Sequence, residues 1–239
     1  LDELDIDTNI TSTELAAAGY VTPSGLSGHW IPSGFPTLNA AAFYLTTHVE
    51  DPFGNETTIT YDTHKLFVTE LEDQLGNTLQ ATHDYRVLAP SLITDPNGNR
   101  QQAKLDQLGR LVALAVMGKT TESLGDTLSN PTQEFLYVTD RWTTSQLPNY
   151  VRQRARKQHG GTASWQESYA YSDGSGRVAM TKIQAEPGGS MDPRWVGTGR
   201  TVVNNKGNPV KQYEPYFSDT EEYEDEDDIV ATGVTPVVH

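Results

Sequence analysis

The chain contains no cysteine. That excludes a disulfide framework and a thiolate metal site, and it is compatible with export. Basic residues are scarce: 17 Lys and Arg stand against 32 Asp and Glu, a formal charge of −15. A general nucleic-acid binder needs a basic footprint to meet phosphates, so that function class is excluded. No apolar run approaches the roughly 20 residues of a spanning helix, and the N-terminus lacks the charged and apolar regions of a signal peptide. Direct membrane insertion is not expected. Hydrophobic residues make up only 36% of the 239, which is lean for a thick two-layer core. Wide, thin sheet is the expectation.

Catalytic signatures are missing as well. There is no His-Glu-x-x-His, no Gly-x-Ser-x-Gly elbow and no phosphate loop, and Gly197-Thr-Gly199 lacks the third glycine of a dinucleotide fingerprint. The histidines (His29, His48, His64, His83, His159 and His239) show no metal-ligand spacing. No enzyme, cofactor or metal site is expected. Because the chain starts at Leu1 rather than Met, it reads as a fragment of a longer protein.

What the chain has instead is a ladder of aspartates at an interval of eleven: Asp51, Asp62, Asp73, Asp84, Asp95 and Asp106. Alternate members open an Asp-x-x-Gly-Asn turn: Asp51, Gly54 and Asn55; Asp73, Gly76 and Asn77; Asp95, Gly98 and Asn99. Asp106 and Gly109 repeat the turn half a period early, with Arg110 closing it. Related turns recur at Asp173 and Gly176, and at Asn204 and Gly207. Each position has a physical role. The Asp side chain accepts backbone N–H groups and nucleates a reversal, Pro52 and Pro96 pre-set φ, and the glycines take positive φ. Fixed-period self-similarity means a stacked supersecondary unit. Between turns, Thr57, Ile59 and Tyr61 alternate with Glu56, Thr58 and Thr60, the period of a half-buried strand. Each half-repeat holds roughly 20–25 Å of extended chain. The fold class read here is all-β: antiparallel hairpins forming a curved open sheet, with about fourteen strands and little helix.

Three stretches follow. Residues 1–39 form an irregular leading segment with one short helix behind the capping box Thr11-Ser-Thr-Glu14. Residues 40–117 carry the regular 22-residue hairpins, with a first strand over 40–50. Residues 118–239 carry degenerate hairpins: a long loop to Glu134, strands over Phe135–Trp142, Tyr150–Gln158, Trp165–Tyr171 and Val178–Gln184, a loop over 185–199, and strands at Arg200–Val203 and Val234–Val238.

The turn-plus-Tyr-Asp pattern resembles the YD repeats of Rhs-type proteins. More specifically, Asp51-Pro-Phe-Gly-Asn, Asp84-Tyr-Arg-Val-Leu, Thr94-Asp-Pro-Asn-Gly-Asn-Arg100, Ala115-Val-Met-Gly-Lys119, Tyr171-Ser-Asp-Gly-Ser-Gly-Arg177, Arg194-Trp-Val-Gly-Thr-Gly-Arg200 and Asn205-Lys-Gly-Asn-Pro-Val-Lys211 resemble the B component of bacterial insecticidal toxin complexes. The resemblance implies a shell of YD-repeat hairpins, built with a C component around that component's toxin polypeptide. It also implies a secreted or cell-surface complex, and docking to a pore-forming A component through parts this chain does not contain. His83-Asp84 and Leu105-Asp106 depart from the family's Tyr-Asp.

Other features have sharper and plainer readings. The acidic run 219–228 (DTEEYEDEDD) offers calcium ligands or a solvated loop, and the solvated loop is expected. Arg152, Arg154 and Arg156 share one strand face: either an anion-holding surface or a solvated one, with solvation expected. Trp165, Tyr169 and Tyr171 read as cross-strand stacking on a sheet, or as the aromatic platform of an adhesion or carbohydrate-binding module. An open sheet edge invites pairing with a second copy.

Overall fold

A computed structural model describes residues 10–31, 34–161, 164–189 and 191–238. The acidic opening residues 1–9 and His239 lie outside them. Strand accounts for 46% of residues and helix for 9%, so the protein is mostly β, as the turn ladder predicts. The chain forms two compact units, residues 1–100 and 101–239.

In the first unit, α1 (Ser12–Ala17) starts at Thr11, whose side chain accepts from the Glu14 N–H while Glu14 reaches back. Six strands follow: β1 (Phe35–Asn39), β2 (Leu45–Glu50), β3 (Glu56–Tyr61), β4 (Val68–Glu72), β5 (Thr78–Asp84) and β6 (Ala89–Thr94). They lie in chain order, each antiparallel to the next. Two expectations are corrected here. The segment before residue 40 is not wholly irregular, because it supplies β1, and the strand expected over 40–50 begins only at Leu45. Ala40–Ala42 instead forms a 3-10 turn, with the Asn39 side chain capping the Ala41 N–H at 3.0 Å.

Pairing is interrupted between β1 and β2, between β3 and β4, and between β5 and β6. The unpaired residue each time carries a hydroxyl: Thr47, Thr69 and Ser91. Their Oγ atoms donate to the carbonyls of Thr37, Thr60 and Thr82 at 3.3, 3.3 and 3.2 Å. A bulge leaves one residue outside the ladder, and here its hydroxyl restores a bond across the gap. These residues also stand 22 apart, a second marker of the repeat that the aspartates had overshadowed.

The second unit holds β7 (Arg100–Leu105), β8 (Leu111–Met117), β9 (Gln133–Val138), α2 (Arg141–Ser145), β10 (Asn149–Arg156), β11 (Trp165–Ser172), β12 (Val178–Ala185), β13 (Arg194–Thr198), β14 (Thr201–Val203), β15 (Pro209–Gln212), β16 (Tyr216–Ser218), α3 (Glu226–Ala231) and β17 (Val237–Val238). Strands β7 to β13 run in chain order with β16 beside β13, while β14, β15 and β17 make a separate three-stranded sheet. Four expectations change. The strand over Phe135–Trp142 stops at Val138 and α2 takes Trp142. The loop over 185–199 contains β13, and the last strand is only Val237–Val238. The described residues hold seventeen strands rather than about fourteen.

Candidate functional surface

The turn residues come first, because they set where strands begin and end. At Asp51, one carboxylate oxygen accepts the N–H groups of Phe53 and Asn55, both at 2.8 Å. The other accepts the Asn55 side-chain amide at 2.7 Å. Asp73 repeats this with Leu75 and Asn77, and Asp95 does so with Asn99. At Asp106 and Asp173 an arginine side chain replaces the Asn amide: Arg110 Nε at 2.7 Å and Arg177 Nε at 3.0 Å. Asn204 builds the same loop without a charge, accepting the N–H groups of Lys206 and Asn208. Gly54, Gly76, Gly98, Gly109, Gly176 and Gly207 all have φ near +80°, the left-handed residue of a three-residue hairpin loop. Hydrogen bonds, the Asn side chain's first among them, hold the Asp51 and Asp73 carboxyls below their usual range.

The intervening Asp62 is different. It is buried and caps the N–H groups of Leu66 and Phe67 at 2.7 and 2.9 Å. Tyr85, from the next repeat, donates its hydroxyl to the same carboxylate at 2.5 Å. Burial opposes ionisation there, but the converging donors win and hold Asp62 well below the normal carboxylate range. His83, where the resemblance would place Tyr, stacks on Phe67 at 4.4 Å between centroids, so the ring contact is kept.

The strands between these turns sort their charges by face. In the first unit, Val49, Thr57, Ile59, Leu71, Leu79, Ala81 and Ile93 share one face, while Glu50, Glu56, Glu70 and Glu72 share the other. In the second unit, every buried residue of β8–β13 and β16 lies on one face. Ala113, Arg156, Tyr171, Met180, Lys182, Trp195 and Tyr216 are among them. The opposite face carries Leu114, Tyr137, Gln153, Ser168, Thr181 and Val196, all partly exposed. Among the described residues of those strands, Arg194 is its one formal charge, and that guanidinium lies over the Phe217 ring at 4.5 Å.

Over β11, β12 and β16 the buried face is covered by the chain's own acidic stretch. The solvated loop expected over 219–228 is instead a docked strap, which corrects that reading. Arg141 binds the Glu222 carboxylate at 2.6 Å, and Lys211 and Tyr213 bind Glu226 at 2.5 and 2.9 Å. Between them, fully buried Lys182 pairs with Glu224 and donates to the Thr220 carbonyl at 3.1 Å. Glu224 also accepts the hydroxyls of Tyr216 and Ser218 at 2.7 and 2.9 Å. Burial lowers the Lys182 pKa, and the carboxylate partly offsets it. Tyr223 packs edge-on against Tyr171, and Ile229 of α3 is fully buried in the core cluster. Asp225 and Asp228 cap α3 reciprocally, and that Asp-x-x-Asp spacing was the unread signal for this helix.

The cross-strand packing expected of the tyrosines is present, with the Tyr150 ring of β10 5.5 Å from both Tyr169 and Tyr171 of β11. Tyr169 and Tyr171 are not an exposed sugar platform: they are buried with Trp195, and burial, helped by Glu167, pushes Tyr169 up to about 12. Trp165 is covered by the guanidinium groups of Arg154 and Arg156 at 4.5 and 4.8 Å. The arginine face is not solvated throughout either. Arg154 is bound by Glu134 at 2.5 Å, and the Arg156 side chain, 1% exposed, meets Asp126, Asn130 and the carbonyls of Pro131 and Gly161. Asp126, also buried, accepts from Thr132 Oγ1 at 2.7 Å and Gly160 N at 2.9 Å, and contacts His159 Nδ1 at 2.7 Å. Sequence reasoning missed this knot because its two halves, 126–132 and 156–161, lie more than twenty residues apart.

No protein-family model matches the chain, and no curated protein matches it. Solved structures do. The crystal structure of TcdB2-TccC3 superposes with a TM-score of 0.72 at 24% identity, over 92% of this chain and 13% of that one. The chain shares the fold of a stretch of a Tc toxin. TcdB2-TccC3-Cdc42 gives 0.71 at 22% identity over 94% and 15%, and the Photorhabdus luminescens Tc holotoxin pore 0.70 at 21% over 93% and 15%. The chain thus spans about a seventh of the length of the Tc chains it matches. At these identities the likeness is one of fold.

Proposed function

We propose that this chain is a structural, non-catalytic segment of a toxin-complex shell that encloses a toxin polypeptide. The observation that carries the reading is the division of faces in the second unit. One face is covered in large part by the chain's own segments, the acidic strap over β11, β12 and β16 and residues 126–131 over Arg156, while the other is left open and nearly free of charge. A surface with few fixed charges offers an enclosed chain few ion pairs to bind it. It contains without holding. The Tc fold supports the same reading, with a C component and its toxin as partners, an A component met through other parts, and a secreted or cell-surface complex as the setting.

If the segment only contains, single changes on the open face, such as Ser168→Ala or Thr181→Val, leave toxin enclosure unchanged. Gly54→Val and Gly98→Val instead lower shell assembly, because both glycines hold positive φ, where a Cβ costs about 1–2 kcal/mol. Protease protection of the enclosed polypeptide, in a toxin complex whose shell carries this segment, reads both. Normal assembly and protection with both valine variants would refute the structural role.

A further inference from the structure

One asparagine of the turn ladder stands apart from the others. Asn55, Asn77 and Asn99 close their turns, and each side-chain amide is bound to the Asp that opens the turn, at 2.7, 2.8 and 3.0 Å. Asn97 instead lies exposed at the tip of the Asp95 turn, where the sister turns carry Phe53, Leu75 and Leu108. Among the described residues its side-chain amide has no hydrogen-bond partner. Asn97-Gly98 is also the one Asn-Gly pair in the sequence.

An asparagine side chain presents an electrophilic carbonyl carbon to the backbone nitrogen of the residue after it. Glycine, having no Cβ, leaves that approach open. The asparagines held by their aspartates are followed by Glu56, Thr78 and Arg100, whose side chains crowd the same approach. Gly98 holds φ +84°, and its N–H donates to the Asp95 carbonyl at 2.9 Å. That bond withholds the nitrogen while the turn is closed, but exposed loops open locally at little cost in free energy. Position 97 therefore combines a free amide, an unhindered nucleophile and open access to water.

We propose that Asn97 is a modification site, deamidated spontaneously through a succinimide formed with the Gly98 nitrogen. Base removes the Gly98 amide proton and the nitrogen bonds to Asn97 Cγ. The bond from Cγ to the side-chain nitrogen then breaks, and that nitrogen leaves as ammonia. Water opens the ring at one carbonyl or the other, giving aspartate or isoaspartate. Isoaspartate lengthens the main chain by a methylene inside the loop that follows β6, and either product places a second carboxylate beside Asp95.

The test incubates the 239-residue chain in mildly alkaline buffer and maps its peptides by mass spectrometry, with electron-transfer fragmentation to tell isoaspartate from aspartate. A gain of one dalton at Asn97 is expected, at least tenfold faster than at Asn55, Asn77 or Asn99, and faster still as the pH is raised. Isoaspartate should be among the products. Asn97→Leu, which places there the residue found at Leu75 and Leu108, should remove the gain from this turn. No gain at Asn97, a gain no faster than at Asn99, or aspartate without isoaspartate would overturn the proposal.

Discussion

Lys182 of β12 and Glu224 of the strap form an ion pair inside the core, the lysine fully buried and the Glu224 side chain 12% exposed. The pair lies 42 residues apart in sequence and fixes which part of the acidic stretch meets the sheet. Its surroundings supply the remaining bonds: Tyr216, Ser218 and the Thr220 carbonyl.

Removing one partner should therefore cost far more than a surface ion pair. Lys182→Met keeps the side-chain volume but strands Glu224, and breaking a buried pair costs about 3–5 kcal/mol. Urea unfolding should show that loss, with part of it recovered in Lys182→Met/Glu224→Gln. A loss under about 1 kcal/mol would place the pair with exposed ones.

Gly197 should be intolerant for a different reason. A Cβ built there falls 2.4 Å from the Tyr216 ring, whereas one at Gly174 meets nothing within 4 Å. Gly197→Ala should lose about 1–3 kcal/mol through overpacking. Gly174→Ala should stay within about 0.5 kcal/mol, as for ordinary surface changes. Thermal melting of the two variants compares them directly.

The turn aspartates set a pH dependence. Hydrogen bonding lowers the Asp51, Asp73 and Asp95 carboxyls in the folded state, the Asn side chain of each turn contributing most. A group lowered on folding stabilises above its unfolded pKa, about 3.9, and loses that contribution as pH falls through the folded value. Stability should be level above about pH 5 and decline below about pH 4. Asn204 shows that Asn supports the same loop. Asp73→Asn should therefore fold with its turn intact and show a shallower acid decline in urea midpoints. An unchanged acid slope would contradict this.

How much of this was legible depended on distance along the chain. The Asp51 turn is closed within five residues, so its chemistry stands in the sequence. Thr47, Thr69 and Ser91 were equally periodic, but a hydroxyl in a strand carries no signal until the pairing shift beside it is known. Strand β13 hides between loop-forming Pro187, Gly188 and Gly199, and only burial of Trp195 against Tyr169 reveals it. The acidic stretch misled most. Eight carboxylates in ten residues suggest solvation, and nothing local tells that Arg141, Lys182 and Lys211 wait for three of them.

The most direct measurement of the proposed role places a photo-crosslinking side chain at Ser168 on the open face, and separately at Glu221 on the strap, in an assembled toxin complex whose shell carries this segment. Covalent capture of the enclosed polypeptide from position 168 but not from 221 is the predicted result. Capture from 221 alone, or from neither position, would contradict the account.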